Sequence, residues 1–240
     1  MVSTSPARRI PVILAAATLL WAASGCSSSP KADNQSAEPA TGSIAASDVY
    51  RPPPWEKVYR EGKRTIRREA RQIGDSPSKW IIEEFQSVDE KLKGGLVRQT
   101  YIEKGPDGSI FLSELHLTLE NKVLTFDPAI VLMPATLSAD KSCVSESDVV
   151  LRESEDPDAR KSRGHAIQTT RLVSQKGDAS VISSDLSAKL DYTTIDRNVE
   201  MEVIPGRGIV REVQDRTVKF GLLNLSRTTS SAVLVEEKPK

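Results

Sequence analysis

The sequence predicts a mainly β fold: an antiparallel sheet, sandwich or open half-barrel with at most one or two short helices. Three observations lead there. Apolar and polar residues alternate over much of the C-terminal third, turn residues separate the alternating runs, and no sequence repeat or heptad pattern competes with that reading. Leu186, Ala188, Leu190 and Tyr192 interleave with Ser187, Lys189, Asp191 and Thr193. Val199, Met201 and Val203 interleave with Glu200 and Glu202, and Val218, Phe220 and Leu222 with Thr217, Lys219 and Gly221. Lys176-Gly177-Asp178 and Pro205-Gly206-Arg207-Gly208 supply turns between such runs.

The chain starts differently. Arg8 and Arg9 precede an apolar run of about 14 residues, Ile10 to Ala23, shorter than the ~20 residues that a membrane-spanning helix needs. That layout is a secretory signal, which is removed on export. The residues that follow, Ala23-Ser24-Gly25-Cys26, resemble the lipobox of bacterial lipoproteins, with Ala at position 23 where Leu is commoner. The resemblance covers only these first 26 residues. It implies that residues 1–25 are a lipoprotein signal peptide and that Cys26 becomes an acylated first residue anchoring the chain to a membrane. Ser27 stands where the family's inner-membrane retention rule would want Asp, which implies the outer membrane, facing the periplasm.

Residues 26–49 are rich in Ser, Ala, Pro, Asp and Asn, contain no aromatic residue before position 50, and read as a disordered tether. Its root-mean-square reach is on the order of 25 to 30 Å. The exported β domain then occupies 50–240, about 190 residues and the size of one domain or two small lobes.

Glu56 to Ile73 is the basic part of the chain, with Lys57, Arg60, Lys63, Arg64, Arg67, Arg68 and Arg71. As a helix it gathers Tyr59, Ile66, Ala70 and Ile73 on one side but stacks like charges four apart; as an edge strand it carries the Lys and Arg that blunt sheet edges. Both readings stay open, and the bland account of its charge is a solvated face. From Lys79 the signals are β. Trp80 to Phe85 is rich in strand formers, and Leu96–Glu103 and Ser109–Leu119 flank a Gly105-Pro106-Asp107-Gly108 turn. In the second of these strands Phe111, Leu115, Leu117 and Leu119 are expected on one face, and Glu114, His116 and Thr118 on the other. Val123 to Phe126 continues the sheet. The apolar piece Pro128 to Pro134 is expected to be a buried crossing or short helix.

A second, slighter resemblance rests on Leu124-Thr125-Phe126-Asp127-Pro128 and on Pro205-Gly206-Arg207-Gly208-Ile209-Val210-Arg211-Glu212. These are similar to uncharacterised bacterial exported β domains that close with a Gly-x-Gly-[Ile/Leu]-Val strand. The resemblance implies a curved antiparallel sheet and no known activity.

His116 and His165 stand alone in separate β segments, and no His-Glu-x-x-His or Gly-x-Ser-x-Gly motif occurs. Ser-x-x-Lys occurs at Ser28, Ser76 and Ser138, one of them in the tether, without the partner motifs that give it meaning. Glu153, Glu155, Asp156 and Asp158 do not follow a calcium-loop pattern and are flanked by Arg152, Arg160, Lys161 and Arg163. Cys143 has no Cys-x-x-Cys partner and reads as a small buried residue. No glycine-rich phosphate loop follows a strand. The expectation is therefore no catalytic residue, no metal, no cofactor, and Cys26 as the one modified position.

Lys plus Arg and Asp plus Glu number 33 each, so losing Arg8 and Arg9 leaves the mature chain near minus two. Such a balance gives no general attraction to nucleic acid. The leading expectation is a lipid-anchored envelope protein whose β domain is a non-enzymatic binding or structural module. Two others are a carrier or chaperone that binds a lipid or acyl chain on a concave sheet, and an envelope hydrolase lacking a familiar motif. A protein or lipid partner is open, and the membrane is met through the N-terminal lipid.

Overall fold

The computed structural model describes residues 42–87, 94–153, 161–221 and 223–239. The signal peptide, Cys26 and most of the expected tether lie outside the described residues, as do Leu222 and the acidic positions Glu155, Asp156 and Asp158.

The elements run β1 (Ser43–Ala45), α1 (Ala46–Val49), β2 (Trp55–Glu61), β3 (Arg64–Ile73), β4 (Ser76–Ser87), β5 (Gly95–Lys104) and β6 (Ile110–Leu117). A 3-10 turn, Thr118–Glu120, leads to β7 (Lys122–Met133), β8 (Thr136–Ser138), β9 (Ser142–Glu153), β10 (Ser162–Lys176), β11 (Ala179–Leu190), β12 (Thr193–Ile204), β13 (Gly208–Phe220) and β14 (Leu223–Pro239). The fold is mainly β, as the alternation predicts. Leaving β1 and β8 aside, each strand pairs antiparallel with the next, and β14 returns to β2, with Val233 opposite Arg60 and Pro239 opposite Trp55. The sheet is thus a closed twelve-strand barrel rather than a sandwich or an open half-barrel. That closure joins segments more than 170 positions apart, which no local pattern encodes.

Strand parity fills the lumen. Ile182, Leu186 and Ala188 of β11 and Val199, Met201 and Val203 of β12 are buried in one apolar cluster with Trp80, Ile102, Phe126 and Val149. The outer wall carries ion pairs between neighbouring strands: Arg71 with Glu83 at 3.0 Å, Lys122 with Glu153 at 3.1 Å, Lys219 with Asp196 at 2.9 Å and Arg227 with Asp215 at 2.6 Å. Exposed apolar side chains, among them Val144, Ile167, Val173, Val233 and Val235, stand on the wall beside these charges. Among the described residues no helix is long and apolar enough to cross a membrane.

The basic segment is resolved as a hairpin, β2 and β3, with Gly62 at φ +55° in its turn. In β6 the expected face is split. Opposite β5, Leu112 pairs with Ile102 and Glu114 with Tyr101, so Ser113 is an extra, bulged residue. The bulge reverses the parity: Leu112 and Leu115 are buried, Phe111 stands opposite Glu103 on the outer face, and Leu119 in the 3-10 turn is exposed. Pro128 to Met133 is neither a helix nor a crossing but the second half of β7, a wall strand paired with β6, with Ile130, Leu132 and Met133 buried and Pro128 exposed. β10 and β11 approach so closely at Gly164 that a Cβ there would lie 1.8 Å from the Lys189 carbonyl oxygen.

The ordered domain begins before Tyr50. Residues 43–49, expected in the tether, form β1 and α1 and close one rim of the barrel. Ile44 stands opposite Leu137 of β8, Ala46 N–H donates to the Ala135 carbonyl at 3.0 Å, and Gly42 N–H donates to Gln175 Oε1 at 2.9 Å. Ile44, Ala46 and Val49 are buried, and the burial of these few apolar residues offsets the ordering entropy that their polar neighbours cannot. At the opposite rim Glu120 of the 3-10 turn meets Arg216 of β13, with Nη2 donating to Oε2 at 2.9 Å.

Candidate functional site

The inward parity of several strands carries charge where apolar residues are the rule. On β3 the inward series is Ile66, Arg68, Ala70; on β4 Trp80, Ile82, Glu84; on β12 Ile195, Arg197, Val199. Arg98 of β5, with Glu212 and Gln214 of β13, completes a polar layer that spans the lumen between plug and far rim.

Arg68 organises it. Its Nη1 and Nη2 donate to Glu212 Oε2 and Oε1 at 2.7 and 3.1 Å, a two-pronged contact across the barrel. Its Nε donates to Glu84 Oε2 at 2.8 Å. The same Glu84 oxygen accepts from Arg98 Nη2 at 2.6 Å, and Glu84 Oε1 accepts from Gln86 at 3.2 Å. Burial alone would raise both carboxyls; the Arg98 and Arg68 guanidiniums overcome it and hold Glu84 and Glu212 at about 2. Burial works against Arg68 too, but its two glutamates hold its pKa above the ordinary arginine value.

Arg197 is different. Its Nε donates to Gln214 Oε1 at 2.9 Å, an oxygen it shares with Arg98 Nη1 at 3.4 Å. No carboxylate of the described residues lies within ion-pairing distance of it. Burial pushes its guanidinium down to about 10. It is enclosed by protein yet keeps accessible surface, because it borders a cavity of about 90 Å³ between the polar layer and the plug. Tyr50 borders the same cavity, and burial raises its hydroxyl pKa. Leu112, Leu132, Leu186, Val199 and Met201 form its apolar wall.

Near the plug, Lys57 donates to the Arg207 carbonyl, with its ammonium 5.4 Å from the centre of the Trp55 ring and 3.9 Å from Glu237. Gly208, at φ +72°, makes room for it, since a Cβ there would stand 2.8 Å from Lys57 Nζ. Burial lowers the Lys57 amine to about 8. Tyr59 donates its hydroxyl to the Ile209 carbonyl at 3.0 Å, under the Arg68 guanidinium at 4.8 Å, and burial raises it to about 12.

The residues singled out from sequence lie apart from this layer. His116 is within 2.8 Å of Glu114 and stacks at 4.7 Å on Tyr101; His165 is 3.3 Å from Glu146 and half-exposed on the outer wall. Ser76 shares a hydrogen bond of 3.1 Å with Ser78, and Lys79 points to Glu103 at 3.4 Å rather than to a serine. Cys143 is a half-buried thiol packed against the core, its pKa raised by burial. Of the basic hairpin, Arg67 and Arg71 face outward and pair with Glu69 and Glu83, whereas Lys57 and Arg68 are buried, so the solvated-face reading holds for part of it only. Among the described residues no group of three or more His, Cys, Asp or Glu side chains is placed to hold a metal ion.

The chain matches no protein-family model, no curated protein and no solved structure. The lumen layer is therefore the site that geometry alone offers. It holds charge through paired hydrogen bonds and leaves one guanidinium edge free.

Proposed function

We propose that this chain is a lipid-anchored cell-envelope protein, tethered through Cys26 to the outer membrane, whose barrel serves as a non-enzymatic binding module. The observation that carries the second half is the state of the lumen carboxylates: Glu84 and Glu212 are each held by arginine and kept ionised. A carboxylate so paired neither donates nor takes up a proton near neutral pH, so these two do not serve as the acid–base pair of a hydrolase. The cavity of about 90 Å³ supports small-ligand binding over lipid carriage, since pockets for larger organic ligands run to several hundred Å³. The anchor half is supported by the order Arg8-Arg9, apolar run, Cys26.

Intact-mass and native-mass spectrometry of the protein purified from bacterial membranes in mild detergent tests both halves. The expected species starts at an acylated Cys26 and carries no additional acyl lipid. A non-covalent lipid adduct would move the carrier reading ahead, and an unacylated product in the soluble fraction would remove the anchor.

A further inference from the structure

We propose that the barrel lumen is a binding site for a small organic monocarboxylate, whose carboxylate is taken by the free edge of Arg197 and whose hydrocarbon part lies against Leu112, Leu186, Val199 and Met201. This deepens the binding-module reading and rests on it.

Charge counting is the first support. The lumen layer holds three guanidiniums, Arg68, Arg98 and Arg197, against two carboxylates, Glu84 and Glu212, so the layer itself carries one uncompensated positive charge, while Lys57 on the same cavity shares Glu237 with Arg51. A buried charge without a counterion is unfavourable unless a ligand or water supplies what the protein does not. A single negative charge brings the layer to balance.

Geometry is the second. Arg68 spends its whole donor fork on Glu212 and Glu84, and Arg98 divides its own between Glu84 and Gln214. Arg197 uses only Nε, on Gln214, and both its Nη atoms are without a hydrogen-bond partner among the described residues. Two parallel N–H donors match the two oxygens of a carboxylate. Tyr50 borders the same space, its hydroxyl likewise has no hydrogen-bond partner among the described residues, and Arg197 is the charge that acts on it most strongly.

The wall is the third. Beside these polar groups the cavity has an aliphatic lining, and at about 90 Å³ it has room for a few heavy atoms. An inorganic anion would leave that aliphatic surface unused, whereas a short-chain carboxylate covers it.

The test titrates the full-length, detergent-solubilised protein with butyrate by calorimetry at fixed ionic strength, with chloride as the control anion. The expected result is saturable one-to-one binding, at least tenfold weaker in Arg197→Gln and unchanged in the outer-wall variant Arg227→Gln. Arg197→Gln is expected to melt no lower than the parent, because it removes an uncompensated charge. Should it not fold, Arg197→Lys keeps the charge, loses the two-pronged edge and is expected to bind at least tenfold more weakly. Absence of saturation, equal binding by the Arg197 variant that folds, or full displacement by equimolar chloride would overturn the proposal. A protein acylated at Cys26 that ignores butyrate overturns this site and leaves the module reading standing. One that binds butyrate but hydrolyses envelope substrates does the reverse.

Discussion

Arg68 meets Glu84 and Glu212 at once, from opposite walls, and its contacts tie strands β3, β4 and β13 through the middle of the barrel. The consequence appears in acid. Both glutamates titrate near 2 in the fold and at about 4.3 when unfolded, so the unfolded chain binds more protons between those limits and stability falls with pH there. Stability from these two groups is therefore complete above about pH 4.3 and declines as pH drops toward 2, a loss on the order of 3 kcal/mol per carboxylate. Chemical denaturation followed from pH 7 to pH 2.5 should show that decline, and Glu84→Gln should flatten it. An equally steep curve in the variant would mean that the acid sensitivity lies elsewhere.

At the level of elements, strand identity was legible wherever parity ran undisturbed. Val199, Met201 and Val203 face the lumen as their alternation requires, and Leu186, Ala188 and Leu190 do likewise. It failed at Ser113, where one bulged residue exchanges the faces of Phe111 and Leu112, because a bulge changes the count without changing the composition. The lumen charges were present in the same alternation, as Arg68 between Ile66 and Ala70 and Arg197 between Ile195 and Val199. A charge on the apolar parity of a strand was the available signal. β1 and α1 are not legible locally for a different reason: Ile44 sits among Gly42, Ser43, Ala45 and Ala46 and shows no alternation, and only the tertiary pairing with β8 makes a plug of the segment. Ile44→Asp should release that plug at a cost of about 2 to 3 kcal/mol while the far-ultraviolet β signal persists. Fluorescence should shift to the red as Trp55, whose indole N–H donates to the Arg51 carbonyl at 3.0 Å, becomes wetter. An unchanged unfolding midpoint would show that the segment contributes nothing to closure.

Over the whole molecule, the barrel has no exposed edge strand, and it owes this to a single non-local seam, β14 on β2. Every other pairing in the barrel joins strands that follow one another along the chain or are separated only by β8. Deleting Val233–Pro239 should leave β2 unpaired along that side and shift the protein toward larger species than the parent on size-exclusion chromatography. A truncated protein that elutes like the parent with an unaltered melting temperature would show the seam to be dispensable.

The seam also sets how the molecule responds to tension. Trp55 begins β2 and Pro239 ends β14, and the two stand opposite each other at one rim. A pull between the ends of the chain, once β1 has parted from β8, reaches the seam at that last rung and opens it one rung at a time rather than shearing all its hydrogen bonds together. Held at its N-terminus and drawn by its C-terminus, this barrel is a zipper with the slider already at the open end.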